Sequence, residues 1–244
     1  MVLYRRPVTS TDPPSRYRAT PVSFTRRGGR LTERQQAAWD AVGEQFVLDL
    51  PRAGSSTSVD PGFVLDVEAV FGRRAPLVVE IGGGRGEVIC GAAEERPEVD
   101  LLGLEVYRPG VAQTLVTLRH RGLTSVRLAM VDAAEALATM LPAGSVDELW
   151  VNFPDPWPKA RHHKRRLVTP AFAGLAARVL RPGGVWRLAT DWAEYAEQMA
   201  EVIAGSDDFD GGPAERFAGR ALTRFEAKGV AAGRPITDLR AVRR

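Results

Sequence analysis

The chain has 244 residues, 44% of them apolar and 26% charged, with a formal net charge of +3 and a single cysteine, Cys90. That balance is ordinary for a globular protein of one large or two small domains. One cysteine excludes an internal disulfide and a cysteine-built zinc site, the lack of any apolar run near 18 residues excludes a membrane span, and the arginine-rich start does not read as a secretory signal, so the cytoplasm is the expected compartment.

Charge is segregated along the sequence. Residues 1–34 carry eight arginines against Asp12 and Glu33, a net +6, so the remainder sums to −3. A second basic concentration is Lys159, Arg161, Lys164, Arg165 and Arg166, with His162 and His163 among them and no acid. Positive charge gathered in this way points to a polyanion such as nucleic acid.

Taken in order, residues 1–30 hold four prolines and few large apolar side chains, and read as a flexible basic arm. Thr32-Glu33-Arg34-Gln35 is a capping box, which predicts an amphipathic helix to about residue 48. A Ser-rich loop over 51–62 follows, and 31–75 is expected as a helical segment packed on the core. From 76 to 244 the pattern is that of one domain. The apolar run 77–81 reads as a buried parallel strand. Gly82, Gly84 and Gly86 then form a turn into a helix over 87–96. Strands are expected at 101–106, 126–130, 146–153 and 185–189, with helices at 109–121, 133–140 and 170–180 and a last one, capped by Asp191, to about 204. Thr169-Pro170 starts the third of these helices and Pro182-Gly183-Gly184 stops it; 239–242 is a possible closing strand.

Alternating strands and helices predict an α/β fold, a mostly parallel central sheet with helices on both faces. Ligands of such sheets bind beyond the carboxyl ends of the strands. Acids sit at those ends: Glu80 in the first strand, Glu105, Asp132, Asp155 and Asp191 at the later ones. Glycines let a backbone approach a ligand closely, but the spacing here lacks the two-residue gap of a dinucleotide fingerprint. An acid at the end of the second strand suits a pair of ribose hydroxyls.

After the fourth strand comes Asn152-Phe153-Pro154-Asp155-Pro156-Trp157-Pro158-Lys159. Each proline locks its own φ near −65° and pushes the preceding residue out of the helical region. Asp155 is therefore presented on a stiff loop, directly ahead of the basic strip. The bland alternative is a rigid turn followed by a solvated face.

The order of strand-end acids resembles Rossmann-like class I S-adenosylmethionine-dependent methyltransferases. The stretch Phe153-Pro154-Asp155-Pro156-Trp157-Pro158-Lys159, with Arg161-His162-His163-Lys164-Arg165-Arg166, resembles the signature of the bacterial tRNA (guanine-N(7)-)-methyltransferase family. Ala189-Thr190-Asp191-Trp192 with Tyr195, Thr223-Arg224-Phe225-Glu226, and Ser23-Phe24-Thr25-Arg26-Arg27 resemble its other blocks. Arg224 stands where the family more often has lysine, and Arg234-Pro235-Ile236 departs from a stretch usually richer in glycine and histidine.

The resemblance implies methyl transfer from S-adenosylmethionine to N(7) of a guanine, position 46 in the tRNA variable loop. It implies cofactor binding by Glu80, Gly82, Gly84, Gly86, Glu105, Asp132 and Asp155, with Asp155 also the catalytic residue. It implies substrate contact by Lys159, Asp191, Thr223, Arg224, Phe225 and Glu226, and RNA contact by Arg26, Arg27, Arg161, His162, His163, Lys164, Arg165 and Arg166. No metal is implied, and the enzyme is expected as a monomer or homodimer. Other readings are a different S-adenosylmethionine-dependent RNA methyltransferase, such as one acting on an exocyclic amine, or a non-catalytic RNA-binding protein with a nucleotide-binding fold.

Overall fold

The computed structural model of the protein describes residues 29–244. Arg26, Arg27 and most of the basic arm lie outside the described residues. Thr32 caps α1 (Glu33–Phe46) through the expected box: its hydroxyl accepts from the Gln35 amide, and the Gln35 side chain returns to the Thr32 amide. A short α2 (Val67–Phe71), capped by Asp66, leads to the sheet.

Seven strands form the sheet: β1 (Leu77–Ile81), β2 (Asp100–Leu104), β3 (Val126–Ala129), β4 (Val146–Asn152), β5 (Leu180–Thr190), β6 (Phe209–Ala214) and β7 (Thr237–Arg243). Their spatial order is β3-β2-β1-β4-β5-β7-β6. The first five run parallel, and β7 enters antiparallel between β5 and β6. Helices α3 (Glu87–Glu95), α4 (Arg108–Arg121), α5 (Ala133–Glu135), α6 (Pro170–Val179), α7 (Ala193–Ala204) and α8 (Arg224–Ala231) complete the fold. The order reverses at β1 and β4, so the loops leaving these two strands face one cleft.

Both sheet faces are covered. One core layer holds Leu102, Met140, Phe172, Trp186 and Tyr195; the other holds Ile89, Leu101, Leu115 and Trp150. All five residues of β1 are buried, as a continuous apolar strand demands when helices lie on both sides. Helix α1 packs on α4, and the Gln35 amide donates to the Pro109 carbonyl at 3.0 Å. Cys90 is buried in α3, and burial pushes its thiol up to about 12, so it remains a protonated core group.

Several expected boundaries move. The predicted helix over 133–140 is one α-turn followed by a five-residue π-turn, Ala136–Met140. Strand β5 starts at Leu180, five residues earlier than expected, because the chain passes the Pro182-Gly183-Gly184 turn through a register shift rather than leaving the sheet. Trp192, not Asp191, precedes the first turn of α7. Sequence periodicity did not announce β6 or α8; β6 contains Gly211, Gly212 and Pro213 and sits at the sheet edge, where such residues are tolerated.

Candidate active site

A cleft of about 740 Å³ opens at the carboxyl ends of β1, β2 and β4. Its walls include Glu80, Gly82, Gly84, Glu105, Asn152, Phe153, Asp155, Thr223, Arg224 and Phe225. Its size falls in the range of sites for small ligands and cofactors.

The floor is the glycine turn. Gly86 has φ +75°, and a Cβ there would drive into the Thr114 side chain of α4, so only glycine fits on both counts. Gly84 approaches Gly110 through its carbonyl so closely that a side chain at 110 would also collide. The first turn of α4 therefore abuts the turn that follows β1.

Glu105, one residue past β2, stitches these pieces together. One carboxylate oxygen accepts from the Gly84 amide at 2.9 Å, and the other accepts from the Val106 and Tyr107 amides at 2.7 and 2.8 Å. Three charge-assisted bonds fix the carboxylate at the cleft wall. Asp132 caps α5, accepting from the Ala134 amide at 3.0 Å. It is buried; its neighbours Val131 and Ala133, not its own side chain, line the cleft.

Glu80 differs from both. It is buried in β1, and its Oε2 has no hydrogen-bond partner. Burial pushes its carboxyl up to about 7; hydrogen bonding to the Asn152 side chain lowers it, the Glu105 charge raises it, and the Ile89 amide lowers it. Asn152 ends β4 beside β1, and both polar atoms of its side-chain amide are buried. A buried acid and a buried amide thus lie side by side at the same end of the cleft. A buried carboxylate and a buried amide oxygen at a cleft end suit a donor group that carries positive charge.

A proline-rich loop follows β4. Phe153 and Trp157 both take positive φ, +53° and +46°, the only residues other than glycine to do so among those described. Backbone strain of this kind costs about 1–3 kcal/mol per residue and persists where the surroundings enforce it. The Phe153 amide donates to the Ala189 carbonyl at 2.8 Å, extending the β4–β5 pairing by one residue. Arg166 fastens the far end: its Nε donates to the Pro156 carbonyl at 2.9 Å and its Nη1 to Gln198 at 2.8 Å. Between these ties Asp155 lines the cleft, half-buried, with no hydrogen bond to a described residue.

The basic strip forms a 3-10 turn, Ala160–Arg165. Arg161 and Lys164 are exposed. Arg165 stacks over Trp157, 3.5 Å from its centroid, and His163 lies 3.4 Å from Glu194. His162 is held below its ordinary pKa by desolvation and then by the cations around it. Arg166 is buried and turned inward, away from the face that Arg161 and Lys164 present.

The remaining predicted residues divide. Thr223 caps α8 by accepting from the Glu226 amide at 3.0 Å, and the Arg224 amide donates to Glu87 at 2.9 Å, which brings Thr223, Arg224 and Phe225 to the cleft mouth. Phe225 is half exposed, its ring 5.4 Å from that of Phe153. Glu226, Asp191, Lys159, Asp132 and Gly86 are not part of the cleft lining. Asp191 is held by Arg234 at 2.7 Å, and Glu226 is buried against Arg216 and Arg220. Asn152 entered the sequence reading only as the first residue of the proline loop, and Arg216, Arg220 and Arg234 received no functional role there; arginines distant in sequence give no periodic or motif signal of an ion pair.

Among the described residues no group of three or more His, Cys, Asp or Glu side chains could hold a metal ion, and no helix is long and apolar enough to cross a membrane.

Comparison with known proteins bears on the same cleft. Residues 74–239 match a family described as "Putative methyltransferase". The tRNA (guanine-N(7)-)-methyltransferase of Paenarthrobacter aurescens is 54% identical over 207 residues, 84% of this chain and 69% of that protein. Proteins of the same name from a Nocardioides species and from Methylococcus capsulatus are 50% and 45% identical, over 89% and 94% of this chain and 85% and 95% of theirs. Among solved structures, the 16S rRNA methyltransferase KamB superposes with a TM-score of 0.54 at 16% identity, over 74% of this chain and 94% of that one. The aminoglycoside resistance methyltransferase NpmB1 gives 0.51 at 16% identity, over 79% and 98%. At that identity the likeness is one of fold: a Rossmann-like class I methyltransferase fold.

Proposed function

The chain belongs to the tRNA (guanine-N(7)-)-methyltransferase family, and from that premise we propose how its own residues carry the reaction. It is a methyltransferase that modifies N(7) of guanine in tRNA. S-adenosylmethionine supplies an electrophilic methyl group on a sulfonium. Glu80 and Asn152 receive its ammonium end and Glu105 its ribose, with Asp132 supporting the wall beyond β3. The guanine is the one at position 46 of the variable loop, and the reaction takes place in the cytoplasm.

Guanine N(7) carries an in-plane lone pair in the neutral base, so no general base is required. The protein's task is in-line alignment and stabilisation of the charge that develops on the purine. Asp155 serves both, as an anion on a loop whose two ends are tied to β5 and to Arg166. Phe225 offers an exposed ring on which an extruded base can stack, and Arg161 and Lys164 offer cations to RNA phosphates. The observation that carries this reading is the half-buried Asp155 carboxylate, which lines the cleft on a strained loop.

The test is incubation with methyl-labelled cofactor and unmodified tRNA, followed by digestion to nucleosides. The expected product is 7-methylguanosine, lost when the variable-loop guanine is replaced. Label on an exocyclic amine, or none on tRNA, would overturn the proposal.

A further inference from the structure

One cation lies fully inside the protein beneath the reaction loop. The Arg220 side chain has no exposed surface. Its Nη2 donates to both oxygens of Asp238, at 3.0 and 2.9 Å, and its Nη1 lies 2.9 Å from Glu226 Oε2. Its Cζ is 5.3 Å from the centre of the Phe153 ring. Three segments far apart in sequence meet on this one guanidinium: the exit of β4, the first turn of α8 and the start of β7.

Each of these partners leads towards the cleft. Phe153 holds a positive φ immediately before Pro154 and Asp155. Glu226 belongs to the helix whose first residues, with the capping Thr223, wall the cleft mouth. Asp238 pairs across the sheet with Ala189, the residue whose carbonyl receives the Phe153 amide. A buried arginine packed on the ring of one strained residue is poised to fix that residue's place, since its guanidinium is held by two hydrogen bonds to Asp238 and by the charge of Glu226. Arg216 reinforces the arrangement: its Nε lies 3.3 Å from Glu226 Oε1, and its Nη2 donates to the Arg220 carbonyl.

We propose that Arg220 is a positioning residue for methyl transfer, setting the height of the 153–155 loop and of the first turn of α8 over the cofactor cleft. It touches neither cofactor nor base. It acts through Phe153, and so on Asp155, and through Glu226, and so on Phe225. The proposal rests on the reading of 153–155 as the reaction loop.

The test uses the full-length protein with S-adenosylmethionine and tRNA. Arg220→Lys keeps the charge but lacks the fork. The variant is expected to fold, to bind cofactor within about 3-fold of the parent, and to lose about 30-fold or more in single-turnover rate at saturating cofactor and tRNA, the effect of a small displacement of a reacting group. Concentrations are normalised by cofactor titration, so instability alone leaves the rate per folded site unchanged. Combined with Phe153→Leu, the loss should not multiply, because both substitutions act on one loop. A rate within about 3-fold of the parent, or losses that multiply, would overturn the proposal. Should Arg220→Lys fail to fold, Asp238→Asn decides: it acts on the loop only through Arg220, and parental turnover there refutes the role. A parent protein that does not methylate tRNA refutes the functional reading itself, whereas an active parent with fully active variants refutes only the positioning role.

Discussion

The acids in and around the cleft are held by different means on its two sides. Beyond β2 and β3, Glu105 and Asp132 are fixed by backbone amides, and Glu80 within β1 keeps a buried oxygen without a partner. Beyond β5 and on α8, Asp191 and Glu226 are fixed by arginines. Amide-held carboxylates take their geometry from the parallel sheet and its turns, so that side is set by the fold alone. Arginine-held carboxylates depend on side chains from the last fifth of the sequence, so that side is complete only once that segment is packed. Asp155 belongs to neither class, being placed by prolines and by ties at the two ends of its loop. Damage on the first side should therefore appear as lost cofactor affinity, and damage on the second as lost rate.

The largest effect is expected at Asp155. Asp155→Asn keeps the shape of the loop and removes its charge, and the single-turnover rate should fall by about 100-fold or more. Binding of tRNA, measured by filter retention, should stay within a few fold. A large loss of tRNA affinity at constant rate would break the division between the halves.

Next is Glu105→Ala, which removes charge-assisted bonds to three amides and the anion offered to the ribose. The expected cost is about 1.5–3 kcal/mol of cofactor binding, or about 10- to 150-fold in Kd by calorimetry. An unchanged Kd in a folded variant would remove Glu105 from the cofactor side.

A pH dependence sharpens the same half. The Glu80 carboxyl is raised to about 7 in the folded protein, above its ordinary value of 4.5. Its contribution to stability is therefore present at low pH and lost as pH rises from about 4.5 through 7. A cationic ammonium binds the ionised form, so cofactor affinity should rise by up to about tenfold per unit as pH approaches 7, then level off. Glu80→Gln should flatten the profile. A flat profile in the parent would separate Glu80 from the ammonium.

The smallest effect separates the exposed from the inward members of the basic strip. Arg161→Ala with Lys164→Ala should reduce the slope of log tRNA affinity against log salt by about 0.7–0.9 for each phosphate left without its cation. Arg166→Ala should leave the slope unchanged and lower the melting temperature, because that side chain is tied to Pro156 and Gln198 rather than to solvent. A slope change at Arg166 would reverse this assignment.

Much of the first half was legible in the sequence, and less of the second. The apolar run before Gly82, the capping box at Thr32 and the Thr169-Pro170 start each carry a local physical signal, and each appears where that signal puts it. The strand-end acids could be read because a parallel sheet brings the ends of successive strands together. The paired arginines could not, since an ion pair such as Arg220 with Asp238 joins residues 18 apart with no periodicity to mark it. The same holds for Arg166: it ends a run of basic residues that includes the exposed Arg161 and Lys164, and only the 3-10 turn decides that this one points inward. Strand β6 was illegible for a different reason, because glycine and proline at a sheet edge resemble a loop.

The division between the halves is tested most sharply by single-turnover methyl transfer to tRNA, followed side by side for Glu105→Ala and Asp155→Asn as cofactor concentration is raised to saturation. Saturating cofactor should return Glu105→Ala to within about 3-fold of the parental rate, while Asp155→Asn stays about 100-fold slow at every concentration. Recovery of Asp155→Asn by added cofactor, or a Glu105→Ala rate that stays low at saturation, would contradict the division.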